Sequence, residues 1–220
     1  GISEPDDLGK SVLIQPSGNG KDYVMPFTDA DMNDPIGLNY FFEITDITLN
    51  KESTDEKRAY LQYSDGQVIP SLAAGDTESA YRIISVPLKL EKEGGLDVFK
   101  DLVGGDQTYN KEKWILYTYD SDDNREYKEY ANFTKIVPGK GYWLIFRNQT
   151  TINVGSGQTV PFYDEVNDVP FKITLNPNSW TLIGNPYNFK ISWSEVLTAN
   201  PGLTSAIDQT LSVFEGGKNL

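Results

Sequence analysis

The chain of 220 residues carries 32 acidic against 19 basic side chains, a net charge of −13, with 38% hydrophobic and 12% aromatic content. That field repels a phosphate backbone and no Lys/Arg cluster reverses it locally, so no nucleic acid is expected as a partner. Cys and His are both absent, which excludes disulfides, thiolate metal sites, Cys nucleophiles, Ser-His-Asp chemistry and zinc hydrolysis by this chain alone.

Tyr and Phe far outnumber Met, a balance suited to pleated, half-buried surfaces. The expected fold class is mainly β: β-sandwich or small-barrel-like units with two or three short helices. No apolar run approaches the roughly 18 residues of a membrane span, so no membrane span is expected. Gly1 followed by Ile2-Ser3-Glu4-Pro5 reads as a cut end without a secretory leader.

In chain order, Tyr40, Phe42 and Ile44 alternate with Phe41, Glu43 and Thr45, which predicts a strand with one face more buried than the other. The charged stretch 51–58 reads as a solvated loop, and Tyr60, Leu61 and Tyr63 resume strand character before the Asp65-Gly66 turn. Residues 70–79 are small and turn-rich and form the best linker candidate. A boundary near Ala80 divides the chain into 1–79 and 80–220.

Beyond it, 81–88 predicts a strand, 96–103 a short helix bracketed by glycine pairs, and 114–119 another strand. Pro138-Gly139 has the residues of a type II turn, and the apolar run Tyr142–Phe146 predicts a strand covered on both faces. Phe171, Ile173 and Leu175 alternate with polar residues as in a half-buried strand. Ser192-Trp193-Ser194-Glu195 has the spacing of a capping box opening a helix through Leu197, which Pro201-Gly202 stops.

Tyr81-Arg-Ile-Ile-Ser-Val-Pro-Leu88 and Trp180-Thr-Leu-Ile-Gly-Asn-Pro-Tyr187 align without gaps, Ile84 on Ile183 and Pro87 on Pro186. Each is followed by a short amphipathic helix and a strand (114–119; 211–214). A period of roughly 100 residues is too long for a solenoid unit and reads as duplication of a small β-α-β module. The copies would cover about 80–170 and 171–220. Either the second is truncated, or the later strands of the first serve both; truncation is the favoured expectation, because a lost strand leaves an open sheet edge.

Two acidic clusters have oxygen spacing suited to calcium. Asp29, Asp31 and Asn33 fall at alternate positions, but Asp34 stands where a loop of this kind needs Gly, and Tyr40 where it needs a bidentate Glu. Asp120, Asp122 and Asn124 sit where a hairpin tip is expected, between 114–119 and 127–130. Solvated turns account for both clusters as well. No other cofactor is expected. Glu43, Asp46, Glu126 and Glu129 lie beside aromatics, yet no motif marks an acid or a nucleophile, so the chain is not expected to be an enzyme.

Several stretches together resemble a repeated β-rich module of large extracellular and cell-surface proteins of Bacteroidota-type bacteria. They are Tyr81-Arg-Ile-Ile-Ser-Val-Pro87, Lys113-Trp-Ile-Leu-Tyr117, Pro138-Gly-Lys-Gly-Tyr-Trp-Leu144, Phe171-Lys-Ile-Thr-Leu175, Trp180-Thr-Leu-Ile-Gly-Asn-Pro-Tyr187 and Ile191-Ser-Trp-Ser-Glu-Val-Leu197. Upstream, Gly37-Leu-Asn-Tyr-Phe-Phe-Glu-Ile-Thr-Asp46 resembles the late strand of an immunoglobulin-like or fibronectin-type domain, which makes 1–79 a partial domain of that kind. The resemblance implies export, often by a route that reads a separate C-terminal sorting domain, and an extracellular or cell-surface location. It carries over no catalytic residues.

The expected function is a non-catalytic structural or spacer module whose partners are neighbouring domains of a longer chain, with Trp114, Trp143, Trp180 and Trp193 as core. The alternative is an adhesion or carbohydrate-binding module, accessory to a polysaccharide-degrading enzyme, whose strand aromatics stack on glycans.

Overall fold

The computed structural model describes residues 38–45, 48–55, 57–59, 62–63, 68–69, 74–104, 108–120, 126–160, 163–164, 169–176, 179–208, 211–215 and 218–219. Its core grows from the strict alternation at 84–90. Ile84, Val86, Leu88 and Leu90 are buried, whereas Ser85, Pro87 and Lys89 are not. Pro87 has no amide hydrogen to give a ladder, so the run is bent into two strands, Arg82–Ile84 and Leu88–Leu90, which belong to different sheets.

The larger sheet is antiparallel, in the order Glu126–Glu129, Trp114–Asp120, Tyr142–Phe146, Arg82–Ile84. The apolar run Tyr142–Phe146 is an inner strand of it, buried except for a half-buried Trp143, as a strand covered on both faces should be. The second sheet has the order Gln62–Tyr63, Gly157–Thr159, Leu88–Leu90, and a further ladder joins Val68–Ile69 to Ile152–Asn153. The fold is therefore mainly β and sandwich-like, with three short α-helices among the described residues.

Hydrogen bonds run across residue 80. Strands at 62–63 and 68–69 pair with strands beyond residue 150, and the Gly75 amide donates to the Phe146 carbonyl at 3.0 Å. Tyr63, Ile69 and Ala74 pack on the core, and Ala80 is itself buried. The described end of the stretch expected as a linker is thus held against the sheet.

The helix expected over 96–103 is two helices, Gly95–Val98 and Lys100–Val103, broken at Phe99 (φ −105°, ψ 30°). Breaking there turns the Phe99 ring into the core beside Val98, Leu102 and Val103. Asp101 fixes the second helix by accepting the Asn153 amide at 2.7 Å. Gly104, at φ 80°, ends it in a conformation that favours glycine.

Elsewhere the structure departs from the sequence pattern. The strand expected at 40–45 is two short strands, Leu38–Tyr40 and Glu43–Thr45, and the charged stretch expected as a loop supplies their partners, Lys57–Ala59 and Lys51–Ser53. An exposed ladder tolerates charge: Lys51 Nζ meets Glu43 Oε1 across it at 2.8 Å. Residues 171–175 form no strand, because Phe171 and Ile173 lean on the Pro138-Gly139 turn, whose Gly139 sits at φ 78° as a type II turn requires. Trp193–Ala199 is helical with Ser192 at its N-cap, but the Ser192 hydroxyl bonds Ser194 Oγ at 2.8 Å and makes no side-chain cap bond, so the capping box does not form. The strand expected at 211–214 reduces to Phe214–Glu215 paired with Lys218–Asn219.

Candidate functional site

The strand Trp114–Asp120 divides its side chains between the two faces of the large sheet. Trp114, Leu116 and Thr118 are buried, and Ile115, Tyr117 and Tyr119 are half-buried opposite them. On the inner face, aromatic rings touch in sequence: Phe99 with Trp114 (5.6 Å), Trp114 with Tyr109 (4.9 Å), Tyr109 with Tyr130 (5.2 Å), Tyr130 with Phe133 (5.7 Å) and Phe133 with Tyr142 (5.8 Å). This chain links the paired helices to the inner strand. The Tyr142 hydroxyl ends it by accepting the Val137 amide at 3.0 Å and donating to the Lys135 carbonyl at 3.3 Å, and burial pushes its phenol up to about 12.

Cross-strand register sets the outer face. Tyr127 lies opposite Tyr119, Tyr117 opposite Trp143, and Trp143 opposite Ile83. The rings there meet edge to face: Tyr119 with Tyr127 at 69°, Tyr81 with Trp143 at 80°, and Phe214 with Trp143 at 75°. Edge-to-face pairs of this kind fill the space between strands. The tryptophans divide three ways. Trp114 is core, Trp143 and Trp193 are half-buried, and Trp180, expected in the core, is 71% exposed. Pairing explains that exposure, since among the described residues 179–185 contributes a single bridge residue, Ile183.

Glu129 is engaged at both carboxylate oxygens. It lies opposite Tyr117, its Oε1 accepts the Tyr109 hydroxyl at 2.7 Å, and its Oε2 meets Lys111 Nζ at 2.7 Å. Partial burial is the largest single influence and pushes its carboxyl up, but the Lys111 ammonium and the Tyr109 hydroxyl together outweigh it and hold the group below its usual range. Burial and the Glu129 charge in turn push the Tyr109 phenol far up. A carboxylate so held is ionised, with both oxygens engaged, so it has no proton to give as a general acid near neutral pH. Tyr109 and Lys111 escape sequence reasoning because both come from a turn, set by the Asn110 side chain accepting the Glu112 amide at 2.8 Å.

Beside this cluster, an open depression of about 230 Å³ lies between Gly75, Tyr81, Lys111 and Arg147. That is below the roughly 300–1,000 Å³ of small-molecule sites. Of the residues expected to bind calcium, Asp29, Asp31, Asn33, Asp122 and Asn124 lie outside the described residues. The backbone of Asp120 closes its strand opposite Glu126, where the antiparallel pairing of 114–120 with 126–129 begins. Among the described residues no three carboxylates converge as ligands for an ion, and no helix is long and apolar enough to cross a membrane.

Fold and surface together define a mainly β, sandwich-like module with an aromatic interior. No protein-family model, no curated protein and no solved structure matches the chain.

Proposed function

We propose that the chain is a non-catalytic structural module of a secreted bacterial surface protein, a spacer between neighbouring domains of a longer extracellular chain. One observation carries the reading: Phe99, Tyr109, Trp114, Tyr130, Phe133 and Tyr142 are spent on one another in a continuous interior ring chain. The resemblance of 80–197 to repeated modules of Bacteroidota-type surface proteins supports the location. The full engagement of Glu129 favours a structural over a catalytic use. A glycan array on the purified chain, with and without calcium, tests it. The expected result is no reproducible binding in either condition and a melting temperature indifferent to calcium; saturable glycan binding overturns the spacer.

A second reading, an adhesion or carbohydrate-binding module accessory to a polysaccharide-degrading enzyme, is favoured by one local feature. Tyr127 is 56% exposed and packs on Tyr119, whose hydroxyl pairs with Ser179 Oγ at 3.1 Å, next to the exposed Trp180. Under that reading, glycan binding on the array disappears in Trp180→Ala.

A further inference from the structure

We propose that the 138–141 turn is a docking site for a second unit of the same kind, and that 179–188 is the docking segment of that unit. The two aromatic-led stretches that align in sequence converge on one ribbon. Ile84 lies opposite Tyr142, and its counterpart Ile183 lies opposite Lys140, two residues earlier. Two hydrogen bonds hold the second pairing: the Gly141 amide donates to the Leu182 carbonyl and the Gly184 amide to the Gly139 carbonyl, each at 3.0 Å. The next counterparts along the alignment, Ser85 and Gly184, touch. A Cβ on Gly184 would lie 2.2 Å from that of Ser85, and one on Gly141 would lie 3.0 Å from the Ile183 carbonyl oxygen. The two stretches approach to a distance that only glycine allows.

Both ends of the docking segment are tied to the fold outside it. Ser179 Oγ pairs with the Tyr119 hydroxyl at 3.1 Å, and Asn188 Nδ2 donates to the Tyr63 hydroxyl at 3.1 Å. Asn188 Oδ1 is buried with no hydrogen-bond partner among the described residues, a cost accepted at the contact. One ribbon then serves both copies, and the second needs no such ribbon of its own. Units joined this way move as one body, which suits a stiff array better than a string of loosely tethered beads. The docking does not depend on the spacer reading, because a glycan-binding module could be joined in the same way.

The test uses the full chain and hydrogen exchange read by mass spectrometry, with limited proteolysis alongside. Gly184→Val drives a branched side chain into Ser85, and Asn188→Ala removes the tie to Tyr63 without overpacking. In each variant, exchange of the amides at positions 141 and 184, the two donors of the pairing, and cleavage within 179–208 should rise by roughly tenfold or more. Protection over 114–118 and 142–146 should remain that of the parent chain. Unchanged protection of the amides at 141 and 184 in both variants overturns the proposal. So does equal loss over 114–118 in the Asn188→Ala chain, which would make the two parts one cooperative body with no separable docked unit. A positive glycan array with these exchange results intact would remove the spacer reading alone.

Discussion

Trp114 and Trp180 are the same residue type under opposite physical demands. Trp114 is 1% exposed with Phe99, Tyr109 and Tyr130 around its ring, and its indole Nε1 has no hydrogen-bond partner among the described residues. Trp114→Ala should therefore cost about 3–5 kcal/mol in a urea titration, by lost transfer energy plus a residual cavity. Trp114→Phe should cost well under half of that, since it keeps a ring and removes the orphaned donor. Trp180→Ala should stay within about 0.5 kcal/mol of the parent, as exposed positions do. Equal losses at both positions would mean the aromatic interior does not hold the fold.

Glu129 gives the residue scale a pH signature. Its carboxyl titrates lower in the folded chain than in the unfolded one, so its contribution is complete above the unfolded value of about 4.3 and is lost as pH falls through the folded value. The Tyr109 phenol titrates higher when folded, so its contribution is intact below about pH 10 and is lost as pH rises further. Glu129→Gln should destabilise by about 1–2 kcal/mol at pH 7. It should also flatten the acid limb of a plot of melting temperature against pH, and an unchanged acid limb would show that the Tyr109 and Lys111 contacts are not felt in solution.

Elements were legible where one local rule decided them. The apolar run Tyr142–Phe146, the strand Trp114–Asp120 and the Pro138-Gly139 turn follow from hydrophobic pattern and turn chemistry alone. Gly139→Ala should cost about 1–2 kcal/mol, because its φ of 78° is left-handed and the new methyl would meet Phe171 at 2.9 Å; a neutral result in chemical denaturation would mean the turn relaxes freely. Where two rules competed, tertiary contact won. Alternation at 171–175 predicts a strand, but the apolar side chains lie on the turn while the backbone pairs with nothing regular. Charge at 51–58 predicts a loop, but backbone pairing needs no apolar side chain and a Lys–Glu contact suffices on the exposed face. The Glu129 cluster was hidden for a third reason. Its members come from a turn and a strand 18 to 20 residues apart, and no spacing rule joins them.

For the whole molecule, the distribution of burial predicts a gradient of local stability. The buried cluster runs from Ile84 to Val154 and draws in Tyr63 and Ile69 from upstream. The hairpin of Glu43–Thr45 with Lys51–Ser53 shares none of it: every described side chain of those two strands is exposed, Ile44 at 70%. An isolated two-stranded ladder is marginal in water, so its amides should exchange through local opening and those of 114–118 and 142–146 only through near-global unfolding. In a native-state exchange series over increasing urea, the hairpin should show a small opening free energy with little urea dependence, and the inner strands should approach the global value and slope. Hairpin amides protected as strongly as those of Tyr142–Phe146 would contradict the gradient. They would place the exposed Phe41, Phe42 and Ile44 against a surface of the same cooperative body.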